Sequence, residues 1–257
     1  LYGVCLHHDH GPLGAAFYPR AMERQLEIMR DMGVNAIRTS HNPPAPELLD
    51  LCDRMGFVVW DECFDKWDAT ADRVKGQPPL EQYGEKQIRS LVMRDRNHPC
   101  VVVWSIGNEI GEGGRDGVTM ERVKFMSDFV RKYDPTRPVG MSCHIPSMAE
   151  RPNFDALDLT GWNYARRYAR YRERYPDKPI IYSESASALS TRGLYELPLP
   201  NEKTQYSKQL QVDSYDLNAA AWSDIADSEF QLMEKDKFVA GEFVWTGFDY
   251  LGEPTPF

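Results

Sequence analysis

Eight short apolar segments alternate with helical patterns along the 257 residues of this chain. The most informative segment covers residues 101–109, because it starts with a run of β-branched residues, which is typical of a strand buried on both faces of a parallel sheet. The other predicted strands cover residues 2–6, 34–39, 57–60, 138–142, 157–163, 179–183 and 238–245. This alternation predicts an α/β fold, a (β/α)8 TIM barrel.

Amphipathic patterns predict helices in most of the connections. In residues 19–32, Pro19 suits the first turn, and Met22, Leu26 and Met29 share one face. Further helices are predicted over residues 47–55, 82–96, 119–133 and 165–175, and two broken helical patterns lie between residues 203 and 235. The stretch after the eighth strand contains prolines and no helical pattern, so we expect the final helix of the barrel to be missing.

Two connections without periodicity are expected to be loops. Residues 65–79 are charged and contain Gly76, Pro78 and Pro79, and long loops of barrels usually form lids or rims of functional sites. Residues 111–117 are rich in glycine but match neither phosphate-binding glycine motif. Phosphate binding is therefore not expected.

Composition excludes several classes of partner. The net charge of −9 argues against binding to nucleic acid or to an anionic membrane. No apolar run approaches the ~20 residues that a membrane span needs. The five cysteines are scattered without a CxxC pair, so neither a disulfide framework nor a structural zinc site is expected.

Three histidines and an aspartate follow the first predicted strand, at residues 7–10. They could bind a metal, but His7 and His8 would point to opposite sides of an extended chain. The helical HExxH spacing of zinc enzymes is also absent. We therefore expect a polar strand end that lines a cleft, with no metal and no cofactor.

Carboxylates follow two of the predicted strands, Glu109 after the fourth and Glu184 after the seventh. The carboxyl ends of all strands meet at one face of a barrel, so the two glutamates would face each other across its mouth. Glycoside hydrolysis requires two opposed carboxylates, with retention at a separation of about 5–5.5 Å and inversion at about 6.5–9.5 Å. The alternatives are that Glu109 caps a loop or pairs with an arginine, and that Arg38 and His41 form a structural ion pair.

Other polar and aromatic residues at strand ends suit a sugar-binding site. They are His10, Arg38, His41, Asn108, Asn163, Tyr164 and Trp245. Asn108 could reach a ring hydroxyl near the bond being cut. Tyr164 and Arg38 could keep Glu184 ionised, and an ionised Glu184 would raise the pKa of Glu109.

Several motifs together resemble the barrel domain of glycoside hydrolase family 2, over essentially the whole chain. They are GVNAIRTSHNP (33–43), CDRMG (52–56), WDE (60–62), WSIGNE (104–109), IYSE (181–184) and FVW (243–245). Members of that family are retaining exo-β-glycosidases: β-galactosidases, β-glucuronidases and β-mannosidases. The resemblance implies that Glu109 is the acid/base and Glu184 the nucleophile, and that Arg38, His41, Asn108, Tyr164 and Trp245 line the sugar site.

The motifs are most similar to the β-galactosidase branch, which makes a β-galactosidase the first expectation. The resemblance also implies β-sandwich domains before the barrel, some of which contribute to the sugar site. We therefore expect residues 1–257 to be a single TIM-barrel catalytic domain excised from a longer multidomain chain. Its compartment stays open, with the periplasm and the extracellular space as options.

Some β-galactosidases of the family bind magnesium near the acid/base and through an acidic-histidine motif after the third strand. Here that region reads DECFDK (61–66), without the histidine, so the metal is not carried over.

Other functions on the same fold remain alternatives. A β-glucuronidase would need extra cationic contacts for its substrate, and a β-mannosidase would differ in a few loop residues. A phosphosugar isomerase or aldolase would need a glycine-rich phosphate site after the last two strands, where residues 183–185 read SES and residues 245–247 read WTG. A non-catalytic sugar-binding barrel would keep Trp245 and Arg38 but would not need both carboxylates.

Overall fold

Eight parallel strands close into a barrel in a computed structural model that describes residues 1–67, 78–111, 118–164, 168–206 and 211–250. The barrel strands are β1 (Tyr2–Leu6), β2 (Ala36–Thr39), β3 (Val58–Glu62), β4 (Val101–Asn108), β5 (Val139–Cys143), β6 (Thr160–Asn163), β7 (Ile180–Ala186) and β10 (Val239–Trp245). Each strand pairs with its neighbour, and β10 pairs with β1 to complete the circle. The α/β TIM barrel predicted from the sequence is confirmed.

Helices occupy most of the connections between the strands. They are α1 (Pro19–Asp31), α2 (Pro46–Met55), α3 (Leu80–Asp95), α4 (Met120–Tyr133), α5 (Ala169–Arg174) and α6 (Ala226–Lys235). Helix α2 begins at a proline, which suits a first helical residue, and is followed by Gly56 with φ 84°. That left-handed conformation favours glycine and lets the Gly56 N–H bond the Cys52 carbonyl. None of the helices in the described ranges is long and apolar enough to cross a bilayer.

The interior of the barrel is filled by side chains rather than left as a pore. These residues are Cys5, Ala36, Trp60, Val103, Leu159, Ile181 and Phe243, all nearly inaccessible to solvent. Gly3 leaves room for this layer, because a Cβ atom there would lie 2.4 Å from the Phe243 ring. Filling one end with apolar residues leaves the other end, at the carboxyl termini of the strands, for polar groups.

The connection between β7 and β10 differs from the prediction. Over the described part of residues 203–225 no helix forms, although a broken helical pattern was predicted there. Instead β8 (Ala188–Leu189) pairs with β9 (Asn218–Ala219), and the Asn218 amide donates to the carbonyls of Lys203 and Gln205. A side-chain amide that satisfies backbone carbonyls in this way offers the chain an alternative to a helix.

Strands β3 and β7 extend further than predicted. β3 continues through Glu62 and β7 through Ala186, so acidic residues predicted to follow these strands lie on them. Parts of three other predictions lie outside the described residues: the loops at residues 68–77 and 112–117, and the start of the fifth helix at residues 165–167. The expectation of a missing final helix concerns residues 251–257, which are also outside them.

Candidate active site

The two predicted catalytic glutamates lie at the same end of the barrel. Glu184 is on β7, and Glu109 follows β4, held by a hydrogen bond of 3.0 Å from its N–H to the Ser142 carbonyl. They are close enough that Glu109 contributes to raising the pKa of Glu184. The expected gathering of both carboxylates at the mouth therefore agrees with the geometry.

Glu184 is buried and has cationic and phenolic partners. Arg38 donates from Nη1 to Glu184 Oε1 at 2.7 Å, and His41 Nε2 lies 3.6 Å from the same oxygen. Tyr164 is bonded to Glu184 through its hydroxyl, and its backbone N–H donates to the Glu184 carbonyl at 2.8 Å. Burial raises the pKa of Glu184, and Arg38 and His41 oppose that effect without cancelling it. Arg38 therefore lowers the pKa of Glu184, as expected, but burial has the larger effect on that pKa.

Glu109 is more exposed and has neutral or weakly basic partners. Asn163 donates from Nδ2 to Glu109 Oε1 at 3.0 Å. His144 Nδ1 lies 3.8 Å from Glu109 Oε2, a contact that the sequence did not indicate. The two glutamates therefore sit in different surroundings.

A chain of hydrogen bonds joins the two glutamates. Asn108 Oδ1 accepts from Arg38 Nη2 at 2.9 Å and from Asn163 Nδ2 at 3.0 Å. Since Arg38 also binds Glu184 and Asn163 also binds Glu109, the path runs without interruption. Five of the predicted site residues lie around the glutamates: Arg38, His41, Asn108, Asn163 and Tyr164.

Glu62, at the end of β3, is a member of the cluster that the sequence did not single out. Its carboxylate accepts from Arg38 Nη2 at 2.9 Å, from His41 Nδ1 at 2.6 Å and from the Ser105 hydroxyl at 2.8 Å. Burial favours the neutral acid, but Arg38 and His41 outweigh it and hold the pKa of Glu62 at about 2. The sequence does show an acidic pair, Asp61 and Glu62, at the end of the third predicted strand, and this pair could have identified Glu62 as a candidate.

Aromatic and imidazole rings form one wall of the cluster. The His41 ring stacks on Trp245 with centroids 5.1 Å apart and planes 11° apart. The His7 ring meets Trp245 edge to face at 4.9 Å and stacks on Tyr250 at 3.7 Å. Burial, with a contribution from His41, lowers the pKa of His7 to about 4 and favours a neutral ring.

His7, which was not among the predicted site residues, lies at this wall. The ring of His10 lies against Phe17, with centroids 5.9 Å apart. Side chains alternate along a strand, so the inward Cys5 of β1 predicts that His7, two residues later, points the same way. That parity was the signal that could have identified His7.

One group of side chains in the described residues has the spacing of metal ligands: Asp53, His98 and Cys100. The Asp53 carboxylate accepts from the Cys100 N–H at 2.8 Å and from His98 Nδ1 at 2.7 Å. These contacts connect α2 to the segment that enters β4, at the end of the barrel away from the glutamates. These hydrogen bonds explain why the three side chains lie close together: they connect two elements of the fold.

Two carboxyl groups in different surroundings lie at one end of the barrel, and glycoside hydrolysis uses such a pair. A buried carboxylate beside a guanidinium can act as a nucleophile, and a more exposed carboxyl group can exchange protons with a leaving group and with water. An indole at the wall can lie against the C–H face of a sugar ring.

Comparison with known proteins gives a consistent result. Residues 1–256 match the family described as glycosyl hydrolases family 2, TIM barrel domain. The chain is 38% identical over 297 residues to the β-galactosidase BoGH2A of Bacteroides ovatus, covering 100% of the chain and 35% of that protein. It is 32% identical to a putative β-glucuronidase of Formosa agariphila, covering 98% of the chain and 25% of that protein.

Solved structures agree with this assignment. A β-glycosidase from Bacteroides vulgatus superposes with a TM-score of 0.78 at 30% identity, over 98% of this chain and 35% of that one. A glycosyl hydrolase family 2 member from Bacteroides cellulosilyticus superposes with a TM-score of 0.73 at 34% identity, over 97% of this chain and 28% of that one. The chain thus spans between a quarter and about a third of the length of these similar proteins.

Proposed function

Because the chain belongs to glycosyl hydrolase family 2 as a TIM barrel domain, we propose that it hydrolyses β-galactosides as a retaining exo-β-glycosidase. The observation that carries the proposal is the pair Glu109 and Glu184, joined by a continuous path through Arg38, Asn108 and Asn163. Such a pair with contrasting surroundings suits one nucleophile and one acid/base.

In the proposed reaction, Glu184 attacks the anomeric carbon while Glu109 donates a proton to the leaving oxygen. Glu109 then takes a proton from water, which attacks the glycosyl-enzyme ester and releases the sugar. Arg38 favours the ionised form of Glu184, and the Tyr164 hydroxyl is bonded to the same carboxylate. Asn108 and Trp245 are proposed to contact the sugar through a ring hydroxyl and a C–H face.

A neutral sugar is favoured by the state of the cations near the glutamates. Glucuronate carries a carboxylate, which would need a cation of its own. Of the described cations nearest the site, Arg38 is held by Glu62 and Glu184, and Lys66 is bound to Asp65 at 2.8 Å. β-Glucuronidase remains the second candidate, because relatives of that name from Formosa agariphila and Bacteroides fragilis are 32% and 30% identical to the chain.

The test is covalent trapping of the intermediate. The protein is incubated with 2-deoxy-2-fluoro-β-galactosyl fluoride, or with the glucurono analogue, and analysed by intact mass and peptide mapping. We expect one galactosyl adduct on the peptide that contains Glu184, and none in a folded Glu184→Gln variant. Faster labelling by the glucurono reagent would favour the second candidate. No adduct with any of the galacto, glucurono and manno reagents, on the barrel or on a longer chain that includes its β-sandwich domains, would favour a non-catalytic barrel.

A further inference from the structure

The guanidinium of Arg38 has two edges with different partners. Nε and Nη2 donate to Glu62 Oε2 at 3.2 and 2.9 Å, whereas Nη1 donates to Glu184 Oε1 at 2.7 Å. A guanidinium is a rigid plane whose donors form a fixed fork. A carboxylate that holds one edge therefore helps to direct the opposite N–H group, which also donates to the Ser183 carbonyl at 3.0 Å.

Glu62 is itself held firmly enough to act as such an anchor. Its side chain is completely buried and bonded to the Ser105 hydroxyl in addition to Arg38. It also accepts from His41 Nδ1 at 2.6 Å, which leaves His41 Nε2 facing Glu184 at 3.6 Å. One carboxylate thus orients both basic groups that face the proposed nucleophile.

We propose that Glu62 is a positioning residue, which directs Arg38 and His41 onto Glu184 without contacting the sugar. The inference rests on the proposed function, since it concerns how the nucleophile of that reaction is kept ready. The Glu62 carboxylate is completely buried and accepts hydrogen bonds from four donors, namely Arg38 Nε and Nη2, His41 Nδ1 and the Ser105 hydroxyl. It therefore has no surface left for a substrate.

A purely structural role for Glu62 makes a different prediction. If Glu62 only neutralises the buried arginine, removal of Glu62 lowers the amount of folded protein. The pKa of Glu184 in the protein that folds then stays as in the wild type. If Glu62 positions Arg38, removal of Glu62 moves the guanidinium away from Glu184. The pKa of the Glu184 carboxyl group then rises. The titratable and charged groups that face Glu184 are Cys5, Arg38, His41, Glu109 and Tyr164.

The experiment compares Glu62→Gln and Glu62→Asp with the control Asp61→Asn. Asp61 is a buried acid on the same strand, but it faces Asp95 of α3 on the outside of the barrel. For each folded variant we measure kcat, KM and the pH profile of kcat/KM on an aryl β-galactoside. The ionisation of Glu184 is followed independently by infrared titration, as the difference from the same protein carrying Glu184→Gln.

For Glu62→Gln we expect kcat/KM to fall about 100-fold, mainly through kcat, because a displacement of ~1 Å in a reacting group has that cost. The acid limb of the profile and the infrared titration should both move to higher pH. Glu62→Asp keeps the charge but shortens the reach, so it should fall between Glu62→Gln and the wild type. Asp61→Asn should leave kcat/KM and the acid limb as in the wild type.

Three outcomes would overturn the proposal. An acid limb and infrared titration that stay in place would assign Glu62 to folding alone, as would failure of both Glu62 variants to fold. A shift to lower pH would mean that Arg38 stays and pairs more strongly with Glu184. If the wild type neither turns over a glycoside nor forms an adduct, the proposed function fails, and a shift in the infrared titration would still uphold the positioning of Arg38.

Discussion

The two glutamates differ most clearly in how much water reaches them. The side chain of Glu184 is 4% exposed and that of Glu109 is 23% exposed. A group that must meet a leaving oxygen and then a water molecule needs such access, whereas a nucleophile benefits from a fixed position beside a cation. This contrast supports the proposed roles of nucleophile for Glu184 and acid/base for Glu109.

The acid/base role proposed for Glu109 predicts a dependence on the leaving group. Glu109→Gln should reduce kcat/KM about 10²–10⁴-fold for a phenyl or alkyl galactoside, because these leaving groups need protonation. A dinitrophenyl galactoside should be attacked at nearly the wild-type rate, since its leaving group departs as an anion. Steady-state kinetics on both substrates check this, and an equal loss on the two would contradict the role.

Residue identities at strand ends could be predicted from the sequence, but their pairing could not. Strand limits and a barrel frame were enough to place Glu109, Glu184 and Arg38 at one face. The role of Glu62 depends on burial and on which edge of a guanidinium it meets, and neither is a property of the local sequence. His7 was not selected from the sequence because its direction depends on which side chains of β1 point inward.

At the scale of single elements, β6 is fitted closely between its neighbours. A Cβ atom at Gly161 would lie 2.5 Å from the Ser183 hydroxyl and 2.6 Å from the Ser142 hydroxyl. Gly161→Ala should therefore push β7 aside and destabilise the fold by about 1–3 kcal/mol, the usual cost of overpacking. Chemical denaturation measures this, with Gly111→Ala as the control because no atom lies within 4 Å of a Cβ there.

A shifted β7 would also displace Glu184, so Gly161→Ala should slow adduct formation in the protein that remains folded. A variant as stable as Gly111→Ala would show that the strands adjust without strain.

The contact between β3 and α3 predicts a pH dependence of stability. Burial, together with neighbouring Asp95, raises the pKa of Asp61 well above its usual range, while Arg94 binds Asp95 at 2.6 Å. Asp61 therefore holds a proton that the unfolded chain releases above a pKa of about 4. This contribution to stability is fully present below that pKa and is lost as the pH rises through the higher folded-state pKa.

Urea unfolding at about pH 5 and pH 9 tests this. The free energy of unfolding should fall between the two pH values more for the wild type than for Asp61→Asn, whose amide needs no proton. Parallel pH dependence in the two proteins would show that Asp61 is not protonated.

Helix and strand types were predictable because periodicity is strong in this chain, whereas the long connection from β7 to β10 was not. There the Asn218 amide and the pairing of β8 with β9 decide the conformation, and these contacts join residues far apart in sequence. Strand β3 was predicted too short because Asp61 and Glu62 are poor strand formers in isolation. Tertiary partners for both acids make the longer strand possible.

The whole molecule spans only part of its relatives, which gives a further prediction. We propose that β-sandwich domains of a longer parent chain complete the sugar site. The 2-fluoro reagent should then label a polypeptide that includes those domains faster than the barrel alone. Mass spectrometry of the two proteins over time checks this, and equal rates would mean that the barrel holds the complete site.

The pairing of β1 with β10 determines when the barrel can close during synthesis on the ribosome. Gly3 pairs with Phe243, so β1 leaves the exit tunnel long before the strand that pairs with it. At ordinary elongation rates that interval is about 10–50 s, during which an unpaired strand edge is open to other nascent chains. We therefore expect a chain stalled before Val239 to aggregate, because the barrel cannot close without β10.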